Sequence, residues 1–541
     1  MRVTNKIIQN NSVSNINVNK TLQDKLNNQM ATEKKIVRPS DDPVVAIRAL
    51  RLRTNVSQVT QYYEKNIPDA NSWLEVTEDA LTTVSSVLTD MIDQCTKGSS
   101  EKLTSTDRQT ILDALKAYRD EVYSTGNADY AGRSVFTGYR TESTLMFTES
   151  EKKKYSITEQ INSNVIDTVT YVNSSFLNGL NESNYSSGTY TADDGTAGVL
   201  YSETAEQKIE SADVYRIRLA YDNAEKTPPV ISLHSGSSFS SYLTATVISA
   251  NAKPNPYEEM AKIDKQDKEN NTATESAIFI PETGELLITK SVFEKLTGLT
   301  DDVTTPTLDE SQIQITYEKE TWKKGDLRPE HYFACTDITD PIPTNHIAYN
   351  QTYLQGIVER QAIEYDVGIS QTIRVNTTAD EVFTHAIGRD IDDLIESLNA
   401  VIEMEATIGR LKKIKDGLDS SDADYEANKT ILTNQIDAAN KSFTYLKEKC
   451  QVLFEGGITK MQNHLNKTNE ATTACGTREK KLSLIQNRLM SQKTNFETLE
   501  SENENVDLTE VAIELKNADL TYQAALMSVS KILQTSLMNY I

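Results

Sequence analysis

The helical periodicity of this chain is confined to its two flanks, and that constrains the fold more than any other feature. Residues 1–139 and roughly 380–541 carry apolar residues at spacings of three and four, while the stretch between them carries short alternating runs and turn residues. A chain that leaves a helical layer, builds a sheet region and returns must bring its flanks side by side. The expected fold is therefore α+β and elongated, with N- and C-terminal long helices forming a shared bundle around a central, inserted, mainly-β domain.

Individual registers support this. Leu74, Thr77, Leu81, Val84, Leu88, Met91 and Cys95 follow the 3.5-residue repeat of a coiled-coil seam, and Gly98-Ser99-Ser100 closes that helix. Ser105 or Thr106 before Asp107 reads as the next N-cap, ahead of a stripe at Ile111, Leu115, Tyr118 and Val122. After the centre, Ile387, Ile391, Leu394, Leu398 and Val401 begin another stripe, and Leu482, Ile485, Leu489 and Phe496 a further one. The last helix, 506–538, is expected to run roughly 50 Å at about 1.5 Å per residue. It holds a heptad register through Val511, Leu515, Ala518, Tyr522, Ala525, Val529 and Ile532, with Leu526, Leu533 and Leu537 as a second stripe. Its N-terminal counterpart is poorer. Ile7, Ile8, Val18, Leu22, Leu26 and Met30 are separated by Asn, Ser, Gln and Thr, too polar a set to hold a hairpin with the tail alone. Both segments are expected to gain order when subunits pack around them.

Composition excludes several function classes. The formal charge is −24, with 79 acidic against 55 basic residues, and this opposes binding to nucleic acid or anionic lipid. No window approaches the about 18–20 apolar residues of a membrane span, so no membrane insertion is expected. Met1-Arg2-Val3-Thr4-Asn5-Lys6 leads into Gln and Asn, not an apolar signal core, so export without a cleavable signal peptide is expected. Cys95, Cys335, Cys450 and Cys475 lie far apart without metal or disulfide spacing, and Cys95 and Cys475 read as packing residues. No cofactor is expected.

The centre reads as strands. Tyr215, Ile217, Leu219 and Tyr221 alternate with Arg216, Arg218 and Ala220 as a strand with one buried face, and Ile278–Ile280, Pro281–Gly284 and Leu286–Ile288 read as a hairpin. Ile313, Ile315 and Tyr317 form another strand, whereas the polar tracts 181–198 and 234–241 read as loops. His331, Cys335 and His346 invite a nucleophile reading, but no catalytic motif accompanies them. Asp416, Asp419, Asp422 and Asp424 lack the Gly and terminal Glu of a calcium loop and read as a solvated helix connection. Pro39-Ser40-Asp41-Asp42-Pro43 reads as a corner: the prolines fix φ and remove donors while the acids cap the following helix. Trp73, beside the Leu74 seam, reads as a packing residue.

That proline-flanked acidic pair, followed by Gln61-Tyr62, Asn66-Ile67, Ala70, Trp73-Leu74-Glu75 and Ala80-Leu81, resembles the N-terminal signature of the flagellin superfamily, in its hook-associated form more than its filament form. Gly132, Phe136 and Gly138 resemble a turn of that family, Gly476, Arg478 and Asn487-Arg488-Leu489 its C-terminal bundle helix, and Val506-Asp507, Ala525-Leu526, Lys531-Ile532, Ser536-Leu537 and Asn539-Tyr540-Ile541 its closing helix. One departure is Thr32-Glu33-Lys34, where the family commonly has glycine in the central place. The resemblance implies a non-enzymatic axial subunit of the bacterial flagellum, exported by the type III apparatus. It also implies an export chaperone on the C-terminal helix, and copies of itself, hook-associated protein 1 and flagellin as neighbours. The expected division is an assembly segment at 1–40, bundle halves at 41–147 and 379–505, a β-rich head at 148–378 and an assembly helix at 506–541. Alternatives are a filament flagellin, or a surface adhesin or hydrolase displayed on flagellin-like helices.

Overall fold

The computed structural model describes residues 5–174, 177, 185–186, 189–191, 197–199, 209–235, 238–252, 254–298, 313–355 and 361–538. Its class is α+β. The helices in chain order are α1 (Asn5–Thr32), α2 (Pro43–Gln61), α3 (Ile67–Gly98), α4 (Ser105–Thr125), α5 (Pro256–Asn270), α6 (Lys290–Thr297), α7 (Ala379–Val382), α8 (His385–Asp416), α9 (Tyr425–Glu504) and α10 (Leu508–Met538). The long ones occupy the flanks, as the periodicity predicts. One π-helical turn, Tyr62–Asn66, joins α2 to α3.

Two compact units divide the chain. The first comprises Met1–Asn71, Glu364–Ile373 and Arg478–Ile541, and the second Ser72–Ile363 and Arg374–Thr477, so α3 and α9 contribute to both.

In the second unit the expected α3 seam is buried throughout, from Leu74 to Cys95. Ile111, Leu115 and Val122 of α4 and Ile387, Ile391, Leu394, Leu398 and Val401 of α8 are buried as well. The N-cap of α4 is Thr104, upstream of the expected Ser105 or Thr106. Its hydroxyl accepts from the Asp107 N–H while the Asp107 carboxylate accepts from the Thr104 N–H, so the acid sits at N3, where a reciprocal box requires it.

The strands, again in chain order, are β1 (Asp129–Tyr130), β2 (Arg133–Ser134), β3 (Glu151–Ile161), β4 (Asp167–Val172), β5 (Tyr185–Ser186), β6 (Thr189–Thr191), β7 (Ala197–Val199), β8 (Ser211–Arg218), β9 (Val230–Ser235), β10 (Ser238–Thr244), β11 (Thr246–Val247), β12 (Ala277–Ile280), β13 (Glu285–Ile288), β14 (Ile313–Trp322), β15 (Ala334–Asp337), β16 (Ile347–Tyr349), β17 (Glu364–Gly368) and β18 (Gln371–Arg374). One sheet has the order β10-β9-β14-β3-β15-β16 and another β11-β12-β13-β8-β4. In β14, Ile313, Ile315 and Tyr317 alternate inward as predicted. The β12–β13 hairpin forms around Gly284 at φ +65°, where a Cβ would meet the Tyr221 carbonyl oxygen at 2.0 Å.

Two strand readings need correction. The tract 234–241 falls largely within β9 and β10 and is not simply a loop, because Phe239 and Leu243 pair opposite His234 and Ile231. Within 181–198, β5, β6 and part of β7 are short strands, and the remainder lies outside the described residues.

The second correction concerns β8, which buries both faces. Val214 and Ile217 are buried, and so is Arg216, which alternation had placed outward. Its guanidinium reaches Asp167 of β4 at 2.7 Å, Glu285 of β13 at 2.6 Å and Asp393 of α8 at 2.9 Å, while Arg218 also pairs with Asp393. All five N–H donors of Arg216 are thereby available for charged acceptors in a fixed fork. Removing one partner of such a cluster leaves buried charge uncompensated. Arg216→Met should therefore destabilise the second unit by about 3–5 kcal/mol, read as a lower urea midpoint, and Asp167→Asn, whose carboxylate is more exposed, should cost less.

Candidate functional site

In the first unit the corner around the proline motif is built from local capping. Asp42 adopts extended backbone and its carboxylate accepts from the Val44 and Val45 N–H groups at 3.0 and 3.1 Å, with Pro43 as the first helical residue of α2. Asp41 accepts from the Val37 and Arg38 N–H groups. Asp42 thus caps α2 as expected, whereas Asp41 does not cap that helix: its carboxylate turns back onto the chain that enters the corner. Pro39 and Ser40 form the turn that leads into Asp41.

Upstream, Glu33 stands at φ +58° in the left-handed region, at the position where glycine is the cheaper residue. Its carbonyl accepts from Val506 N–H at 3.1 Å, Lys34 bridges Asn505, and Lys35 N–H donates to the Glu504 carbonyl at 2.7 Å. The α1–α2 and α9–α10 connections are stitched together there. Glu504, almost fully buried, holds the stitch: Arg53 grips its carboxylate with two donors and Lys34 lies 3.4 Å away.

The hydrogen bond and charge of Arg53, helped by Lys34, hold the Glu504 carboxyl below its ordinary range against the cost of burial. A depressed folded-state pKa contributes stability that is present above the unfolded value, about 4.3, and is lost as pH falls through the folded value. Acid should therefore loosen the 33–36 to 504–506 stitch selectively, increasing proteolysis near Glu33 below pH about 4. Glu504→Gln should remove that pH dependence and loosen the stitch already at neutral pH.

α1 and α10 lie against one another. Leu26, Val511 and Ala518 form the buried centre, flanked by Val506 and Leu515, and Gln23 donates to Asp519 at 3.2 Å. Tyr522, Ala525 and Val529 continue the same face half-buried, so the predicted heptad register of α10 is the one facing α1. The contact is thin. Ile7, Val18 and Leu22 of α1 and Leu526 of α10 remain exposed. The side chains of Ile8, Ile532, Leu533 and Leu537 lie outside the described residues.

Sequence reasoning missed a further row on α10: Ile513, Leu520 and Met527, exposed by 58, 57 and 66%. Their seven-residue spacing was legible, and an offset of two residues from Val511 and Ala518 turns them through about 200°, onto the opposite face. It also missed Val44, Ile47 and Leu50 on α2, exposed by 67, 54 and 62%.

The other motif residues are structural in their contacts. Asn66 donates to the Asp366 carbonyl at 2.8 Å, fastening the π-turn to β17, and Tyr365 donates to Asp69. Arg478 lies half-buried on α9. In the second unit Trp73 and Leu74 are fully buried, with Tyr130 edge-on to the indole and the Arg133 guanidinium 5.1 Å above it. Gly132 and Gly138 take φ +77° and +62°, and Phe136 packs edge-on against Phe383 at 4.7 Å.

The nucleophile reading meets opposing chemistry. His331 is buried and its Nε2 is engaged by Ser143 Oγ and the Thr144 carbonyl, and burial drives its pKa down to about 4. Burial pushes the Cys335 thiol up, away from the thiolate a nucleophile needs. All four cysteines are buried and free, and Cys95 is pushed up to about 12 by burial. Titration with a thiol reagent at pH 8 should therefore find four thiols only after denaturation, with native reaction slower by several orders of magnitude. The acidic stretch after Asp416 connects α8 to α9, with Asp419 turning back onto Ser421 at 2.6 Å. Among the described residues no group of three His, Cys, Asp or Glu side chains is placed to hold a metal, and no helix is long and apolar enough to cross a membrane.

With this geometry in place, comparison with known proteins gives the class first. Residues 3–141 match the family described as the bacterial flagellin N-terminal helical region. The particular relatives are both flagellar hook-associated protein 3. That of Escherichia coli K12 is 33% identical over 132 residues, 24% of this chain and 41% of that protein. That of Salmonella typhimurium LT2 is 28% identical over 143 residues, 26% of this chain and 45% of that protein. The chain thus spans under half the length of these relatives. Among solved structures, flagellar hook-associated protein 3 of Legionella pneumophila is similar over 83% of this chain and 97% of its own, at 8% identity and a TM-score of 0.28. FlgL of Xanthomonas campestris is similar over 83% and 99%, at 10% identity and a TM-score of 0.23.

Proposed function

We propose that the chain is a structural subunit of the bacterial flagellum that forms the junction between hook and filament by axial packing of its terminal helices, without enzymatic activity. The observation carrying this reading is the coupling of a flagellin-type N-terminal region to a C-terminal helix that packs on it while leaving apolar rows open on α1 and α10. Residues 1–40 and 506–541 act as assembly segments: the core that α1 and α10 share, Leu26 with Val511 and Ala518, is slight, and further packing comes as subunits nest. The segments 41–147 and 379–505 serve as halves of the bundle and 148–378 as the β-rich head. Export uses the type III apparatus, with a chaperone on α10. The axial neighbours are further copies, hook-associated protein 1 and flagellin.

Shearing and fractionating flagella tests the location. The chain should be found at the base of detached filaments, and distribution along their length would favour a filament subunit instead. Leu526→Asp with Leu533→Asp should abolish incorporation while leaving the 40–500 portion folded by circular dichroism, since a charge in an apolar seam costs several kcal/mol. Normal incorporation of that variant would count against assembly through α10.

A further inference from the structure

We infer that Lys449 of α9 is a modification site, an amine set in a cavity that takes a small activated acyl group. This concerns the second unit alone and stands independently of the assembly reading.

A cavity of about 170 Å³ lies among β4, β8 and the helices α5, α8 and α9. Val169, Ala400, Leu446 and Leu453 give it apolar walls, and Lys449 lines it together with Asp393 and Glu396 of α8. Lys449 is half-buried, so solvent reaches the amine. The space suffices for an adduct. A cavity of about 150 Å³ in another protein holds benzene, and an acetyl group has half as many heavy atoms.

The second observation is how the two cations of this cavity differ. Arg216, also in its wall, has its charge answered by Asp167, Glu285 and Asp393. Lys449 has no such answer: among the described residues nothing accepts a hydrogen bond from its ammonium, and no carboxylate lies within ion-pair distance. A lysine kept as a structural counter-charge would sit on a carboxylate. This one bears the desolvation cost without that contact.

Burial accordingly holds its pKa below the ordinary lysine value. Glu396, Glu285 and the neighbouring Cys450 pull the other way, while Arg216 reinforces the shift. Tyr257 also lines the cavity, but its hydroxyl is committed to Glu285 at 2.8 Å and burial pushes its own pKa up. The group that remains available as a nucleophile is the Lys449 amine, with a larger free-base share than a surface lysine carries at the same pH.

With an acyl phosphate the step balances simply. The Nζ lone pair attacks the acyl carbon and a C–N bond forms; the C–O bond to phosphate breaks, phosphate leaves with the electron pair, and the proton lost from nitrogen passes to water. The product amide is uncharged, so acylation also removes the cost of holding an unpaired ammonium in the cavity.

Trace labelling of the purified full chain with acetyl phosphate, followed by peptide mass spectrometry from neutral to alkaline pH, tests this. Near neutral pH Lys449 should be acetylated several-fold faster than the median lysine, and its labelling should rise at lower pH than theirs. The advantage should vanish in guanidinium chloride. Glu396→Gln removes a charge that holds the Lys449 pKa up, so the rise should move to still lower pH. Ala400→Met narrows the cavity and should slow Lys449 while leaving the other lysines unchanged. Should either variant lose the native circular dichroism, the comparison of native with denatured unaltered chain decides by itself. Native labelling of Lys449 no faster than that of surface lysines, or unchanged by denaturation, would overturn the site. An undiminished rate in a folded Ala400→Met variant would overturn the cavity as its seat, and a rise that fails to move in a folded Glu396→Gln variant would overturn the electrostatic account of its reactivity.

Discussion

The grip of Arg53 on Glu504 is the interaction on which the first unit depends. It joins residues more than four hundred positions apart and acts where two helix connections cross, with Lys34 on the same carboxylate and backbone bonds from Lys35 and Val506 on either side. Ion pairs at a free surface contribute little, but this carboxylate is almost fully buried and anchored by several donors at once. The α1–α10 seam is too sparse to set this arrangement. Leu26, Val511 and Ala518 bury only a modest apolar area, so the stitch supplies the registration and the seam follows.

The second unit shows the same dependence on a charged centre. Arg216 connects two neighbouring strands and a helix, in a place where an apolar residue would have packed but would not have selected which carboxylates come together. Such a hub favours one register of β4, β8 and β13 over a slip by one residue, which would withdraw the guanidinium from all three partners.

What could be read from the residues divides along physical lines. The α3 seam, the α4 and α8 stripes and the β12–β13 hairpin were legible because their signals are local: heptad spacing, alternation and a turn glycine. The capping role of Asp42 was legible for the same reason, but that of Asp41 was not, because its carboxylate turns back onto Val37 and Arg38 and leaves the following helix to its neighbour. The inward turn of Arg216 was not, since alternation reports how many faces a strand has but not whether both are covered. The Glu504 stitch was equally hidden, because its partners are adjacent only after folding. The exposed rows on α2 and α10 escaped for a different reason: an apolar stripe read from sequence does not announce whether its own chain covers it.

Glu33 carries a consequence for how the molecule is made. A residue with a side chain held in the left-handed region needs compensation, and here the carbonyl of that residue is met by Val506, hundreds of positions further along the chain. During synthesis the bend has nothing to lean on until Val506 has been added. The bend around Glu33 therefore settles only after the long stretch of chain that separates it from Val506, and anything that holds Val506 away leaves the bend unsupported.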